Sequence, residues 1–139
     1  GSLGSPATAK NCISVGASVN TGTGNIEDVA SFSSQGPASD GRIKPDVLAP
    51  GHAVLSANSA TDPSAQTCSV TRQSGTSMAT PAAAGTLALV RQYFREGFYP
   101  SGQKTTADGF VPSGALLKAV MVHSGQKMKG QVYGDTYPG

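Results

Sequence analysis

Apolar positions fall in short runs over the first half of the chain and take helical spacing over much of the second. The run "CISVGAS" (12–18) is compact and β-branched, bounded by Asn11 and the turn-rich "VNTGTGN", which predicts a short buried strand. "VASFSSQGP" (29–37) predicts a short extended piece that ends at Gly36-Pro37. "DVLAPG" (46–51) and "AVLSA" (53–57) predict two more extended runs, parted at Pro50-Gly51. "TCSVTRQS" (67–74) alternates as a strand does and leads directly into Gly75.

From Ser77 to about Phe98 the spacing predicts a helix. Ala82, Ala83, Ala84, Leu87, Leu89 and Val90 leave almost no polar face in its first half, so burial on all sides is expected. Arg91, Gln92, Arg95 and Glu96 restore a wet face, and Gly97 is suited to end the helix. A loop rich in Gly, Pro and Thr follows over 99–112. Ser113 then caps a second helix, "GALLKAVMVHSG", with Leu116, Leu117, Val120 and Met121 on one side. Strands mixed with two helices predict an α/β fold. A helix apolar all round needs layers on several sides, and these few strands are a thin supply. The chain therefore reads as part of a larger core.

Composition narrows the picture. Hydrophobic residues make up 37% and charged residues 13%, so polarity comes from Ser, Thr, Gly, Asn and Gln. Eighteen Gly and nine Pro predict many turns. Net charge is +2, and Lys127 and Lys129, with Lys118 upstream, form one small basic cluster. No aromatic platform interleaves it, so it reads as a solvated helix end rather than a nucleic-acid patch. No stretch reaches the ~18 uninterrupted apolar residues of a membrane span. Cys12 and Cys68 fit no metal pattern; Cys12 is expected as a small core residue, and a bridge between them stays open. "TGTGN" (21–25) lacks the third glycine and the helix of a nucleotide-binding turn.

The candidate chemistry lies in "SGTSMATP" (74–81). A nucleophilic serine must be exposed at a rigid position, with N–H donors aimed at the developing oxyanion. A helix N-terminus supplies free N–H groups and a positive dipole end. Gly75 permits close approach of a substrate backbone, and Pro81 is expected where a missing N–H is tolerable. Local physics alone leaves an ordinary N-cap open for Ser77.

"GTSMATP" followed by Ala82-Ala83-Ala84-Gly85 resembles the active-serine motif of the subtilisin-like serine proteases. "SPATAKNCISVGAS" (5–18), "SFSSQGP" (31–37), "KPDVLAPG" (44–51), "VLSA" (54–57) and "LLKAVMVHSG" (116–125) resemble further segments of that family in the same order. Ala82 departs from it, standing where many members carry a histidine. The resemblance implies the C-terminal half of a catalytic domain over 1–139, with a parallel sheet around a central helix that starts at the serine. It implies Ser77 as nucleophile and oxyanion donor, Ser74 and Gly75 beside the substrate, and Ser5, Pro6 and Ala7 as a wall of the specificity pocket. A cis Ser5–Pro6 bond is expected with it, as is oxidant sensitivity through Met78.

The family's Asp and His precede its serine, and the motifs around them are absent from this chain. His52 sits in a turn where the family does not place its base, and His123 sits near a helix end. Asp40-Gly41 and Asp108-Gly109 read as turns. The resemblance thus implies a polypeptide substrate, with the N-terminal half of the same domain as partner, no nucleic acid and no membrane. No cofactor is visible in the residues; calcium and secretion are implied by family alone. A non-catalytic binding or scaffold role on the same fold is the alternative.

Overall fold

In a computed structural model of the protein, residues 2–22, 24–60, 62, 64, 65 and 68–128 are described. The elements in chain order are β1 (Val15–Ser18), β2 (Val47–Pro50), β3 (Val54–Asn58), β4 (Ser69–Gln73), α1 (Thr76–Arg95), a 3-10 turn (Thr106–Asp108) and α2 (Gly114–His123). The fold is α/β, as the mixture of strand and helix patterns predicts.

The sheet is not uniformly parallel. β1 and β2 run parallel, with Val15 opposite Val47 and Ser18 opposite Pro50. β3 and β4 form a separate antiparallel pair, with Val54 opposite Gln73 and Asn58 opposite Ser69. Successive strands joined by a simple reversal pair antiparallel, whereas parallel neighbours need a long crossover. The segment between β1 and β2 is such a crossover, and part of it closes the outer edge of β1. Ala30 N–H donates to the Ala17 carbonyl (2.9 Å), and Val19 N–H donates to the Asp28 carbonyl (2.9 Å). Ala17 N–H donates to Ser33 Oγ (2.9 Å), so a buried hydroxyl replaces a strand carbonyl there. The expected extended piece at 29–37 is therefore one bridge, Val29 to Ser18, followed by loop.

β1 begins at Val15 rather than Cys12, because Ser14 is drawn to a carboxylate. Ser14 N–H and Oγ both approach Asp46 Oδ2, at 2.7 and 3.0 Å. Lys44, whose side chain is 3% exposed, pairs with Asp46 at 2.7 Å, and Lys118 of α2 pairs with it at 3.0 Å. Both lysines also donate to the Cys12 carbonyl, at 3.4 and 2.9 Å. Lys118 is thus a structural tie and not part of an exposed basic patch; Lys129 lies outside the described residues. Cys12 is half-buried rather than core, its thiol directed at the Ala9 carbonyl, and both cysteines are free.

α1 packs on β1 and β2 through small residues. Ala17 and Ala79 are 0% exposed and Ala30 is 3% exposed. The expected burial of α1 on every side is not met among the described residues. Ala79, Ala83 and Phe94 are buried, but Leu89 is 67% exposed. A two-stranded layer and one short helix cover a single stripe of it. The helix stops at Arg95, short of Phe98, with Gly97 following at φ +73°. The Thr105 carbonyl fills the space a side chain at Gly97 would take, so glycine is required there twice over. Ser113 caps α2 as expected, its Oγ accepting from Leu116 N–H at 3.1 Å.

Burial raises the Asp46 carboxyl, but hydrogen bonds from Lys44, the Ser14 N–H, Lys118 and the Ser14 hydroxyl outweigh it and hold the group far below the usual range. Because the folded value is depressed, its stabilisation is present above the unfolded value of about 4 and is lost as pH falls below it. Asp46→Ala leaves Lys44 buried without its counter-charge and is expected to cost about 3 kcal/mol. Faster amide hydrogen exchange in α2 and in residues 12–14 would register the loss; unchanged exchange would refute this role.

Candidate active site at the start of α1

The N-terminus of α1 has no side-chain cap and no acidic residue in its first turn. Gly75 occupies the N-cap position, where its carbonyl accepts from Met78 N–H (3.0 Å) and Ala79 N–H (3.4 Å). The preceding N–H groups, of Thr76 and Ser77, have no partner within the helix. They remain at its positive end. Ser77 is exposed, and no hydrogen bond joins its Oγ to another described residue. The space beside Gly75 is open on its side-chain face: an added Cβ would meet Met78 Sδ at 3.6 Å and Ser77 N at 3.7 Å, which are ordinary contacts.

Pro81 is the sixth residue of α1, just beyond its first turn. Its missing N–H is the one that would have bonded the Ser77 carbonyl, four residues back. Thr80 Oγ1 donates to the neighbouring Thr76 carbonyl at 2.9 Å and leaves the Ser77 carbonyl without that helical donor.

The turn between β2 and β3 holds this helix start. Gly75 N–H donates to the Gly51 carbonyl at 2.8 Å. Ser74 Oγ accepts from Ala53 N–H at 2.8 Å, and Arg72 Nη1 donates to the Ala53 carbonyl at 3.2 Å. Ala53 takes φ +53°, an unusual conformation for a residue with a side chain, and these two bonds pin it. Sequence reasoning read Pro50-Gly51 as a plain separator and missed this role. The clue was present in two glycines, 51 and 75, each at the junction of an element.

Of the other candidates, His52 lies in that same turn, between Gly51 and Ala53, and the rest belong to other segments. Ser5, Pro6 and Ala7 form a turn in which Ala9 N–H donates to the Pro6 carbonyl at 3.0 Å; Ser5 and Pro6 are exposed and the bond between them is cis. No hydrogen bond among the described residues joins that turn to residues 74–77. His52 stacks on Phe32 with ring centroids 6.3 Å apart, and His123 ends α2 on the surface. Asp40 is held below the usual carboxylate range by its hydrogen bonds with Arg42, and Gly41 completes that turn at φ +82°. Among the described residues, no group of three or more His, Cys, Asp or Glu could hold a metal ion. None of their helices is long and apolar enough to cross a membrane.

With an exposed serine on an uncapped helix start in view, comparison with known proteins decides the family. The model of the subtilase family of peptidases matches residues 1–135. The chain belongs to the subtilase family. Over 118 residues it is 38% identical to the serine protease/ABC transporter B family protein tagB of Dictyostelium discoideum, covering 78% of this chain and 6% of that protein. It is 43% identical over 99 residues to the serine protease AprX of Bacillus subtilis, covering 65% of this chain and 22% of AprX. Among solved structures, the Clostridium perfringens CspB protease matches with a TM-score of 0.50 at 25% identity, over 90% of this chain and 30% of that one. This subtilase chain therefore spans a small part of the relatives it matches.

Within it, the hydrogen bond from Ala53 to Ser74 is expected to contribute about 1 kcal/mol. Ser74→Ala should lower the unfolding midpoint accordingly, while Ser74→Thr, which keeps the acceptor, should not. Equal melting of the two variants would show the bond to be idle.

Proposed function

We propose that this chain is the serine-bearing, C-terminal part of a subtilisin-like endopeptidase domain, spanning residues 1–139. The observation that carries the reading is the exposed, unengaged hydroxyl of Ser77 on an uncapped helix N-terminus. Membership of the subtilase family and relatives named as serine proteases support it.

In this reading Ser77 Oγ attacks the carbonyl carbon of a peptide bond and passes its proton to a histidine of the N-terminal half, which an aspartate orients. The carbonyl oxygen gains the displaced electron pair and accepts a hydrogen bond from Ser77 N–H, with the helix dipole adding to the stabilisation. Collapse expels the amine, which takes the proton, and leaves an acyl ester on Ser77 that water then hydrolyses. Ser74 and Gly75 flank the substrate near the scissile bond, the open face of Gly75 leaving room for its backbone. Ser5, Pro6 and Ala7 form part of the pocket wall.

The N-terminal half of the same domain is the proposed partner. It supplies the missing triad members and covers the outer face of α1, where Thr86, Leu89, Val90, Tyr93, Phe94 and Val120 line an apolar hollow of about 380 Å³. Loss of the base alone costs a triad hydrolase about 10⁶ in turnover, so this chain by itself is expected to show none above background.

A fluorophosphonate probe tests the assignment. In the complete protein, labelling at Ser77 that disappears in Ser77→Ala is the expected result; absence of labelling would leave the non-catalytic alternative in its place. Met78 Sδ lies 3.6 Å from where a Gly75 Cβ would be, so its sulfoxide places an oxygen beside the substrate channel. Peroxide treatment should slow labelling of the wild type and leave Met78→Leu unaffected; identical responses would dismiss Met78 as the target.

A further inference from the structure

We infer that Gly51 is a positioning residue for Ser77, setting the depth and tilt of the first turn of α1 through the Gly75 peptide. This rests on Ser77 being the nucleophile. Gly51 is buried where three elements meet. Its N–H donates to the Ser18 carbonyl at the end of β1 (3.0 Å), and its carbonyl accepts from Gly75 N–H (2.8 Å). A Cβ at this position would stand 2.7 Å from Ala17 Cβ, 2.8 Å from the Gly75 carbonyl oxygen and 3.2 Å from Ala79 Cβ. No real side chain tolerates the first two distances, so something must move.

β1 is the poorer candidate to move. It is held on one edge by β2 and on the other by Ala30 and Ser33. Among the described residues, the Gly75 peptide is hydrogen-bonded to Gly51, and it follows Ser74 just past the end of β4, whose partner Ala53 belongs to the same turn as Gly51. The Gly75 carbonyl is also the acceptor for Met78 and Ala79 N–H. Displacing it re-aims the opening turn, and the Ser77 N–H and Oγ lie inside that turn. The glycine therefore transmits the position of β1 to the serine without touching a substrate. A misplacement on the order of 1 Å is enough to slow a reaction by ~10²-fold.

The test uses the complete protein and saturation kinetics of fluorophosphonate labelling, which separate the maximal inactivation rate from apparent probe affinity. Gly51→Ala should lower the maximal rate by about 10²-fold and leave the affinity within about threefold. Ser33→Ala, which weakens the far edge of β1 without reaching the Gly51–Gly75 contact, should label within about twofold of wild type. Should Gly51→Ala fail to fold, Ser74→Ala decides. By loosening the same turn it should lower the maximal rate by about threefold or more, with Ser74→Thr restoring it, whereas a direct substrate contact by Ser74 would weaken affinity instead. A maximal rate in the deciding variant equal to wild type, an effect confined to affinity, or equal slowing by Ser33→Ala overturns the positioning role and leaves the proposed function intact. An unlabelled wild type overturns both.

Discussion

The spacing between α1 and β1 is the constraint from which most of this structure follows. Ala17 on the strand and Ala79 on the helix are both fully inaccessible, and Gly51 lies against both with no room for even a methyl group. A larger residue at any of the three would push the helix outward, and overpacking of this kind carries a penalty of about 1–3 kcal/mol. Close seating has a benefit for the helix start. It fixes the uncapped N-terminus on the sheet, so the serine in that turn is held by backbone and small side chains rather than by a loop. It also limits the core: among the described residues no large side chain is fully buried.

With so little apolar burial, the placement of α2 relies on charge. A chain with 13% charged residues concentrates three of them, Lys44, Asp46 and Lys118, on one buried or half-buried point. Desolvating Asp46 is unfavourable, and four donors offset it. The arrangement joins the approach to β1, the approach to β2 and the middle of α2. Among the described residues, the opposite side of α1 has no comparable cover. Leu89, Tyr93 and the hollow beside Val120 face outward, which accords with a chain that spans a small share of its relatives.

Much of this was legible in the pattern of residues. Four strands fall within short extended or alternating runs between turns, and α2 was marked by Ser113 and its apolar spacing. Gly97 was visible as a terminator because a residue with free access to positive φ ends helices for a local reason. The element ends were less legible. The first strand was read from Cys12, but Ser14 leaves the strand pattern to serve Asp46, a partner far away in sequence. The helix was read from Ser77, yet α1 starts one residue earlier, at Thr76, which makes Pro81 its sixth residue.

Local preference and periodicity are properties of neighbouring residues, so the sequence alone determined the α/β class, the helix that carries Ser77 and the motif that points to its chemistry. Direction and depth arise from contacts between distant segments, and only the tertiary structure decided them. It separated a parallel pair from an antiparallel one, turned Lys118 inward to Asp46, and left α1 uncovered on one side. It also showed that the turn at Gly51, which in sequence is merely a break between two strands, is the seat on which the helix start rests. No periodicity encodes that, because the contact exists only once strand, turn and helix have met.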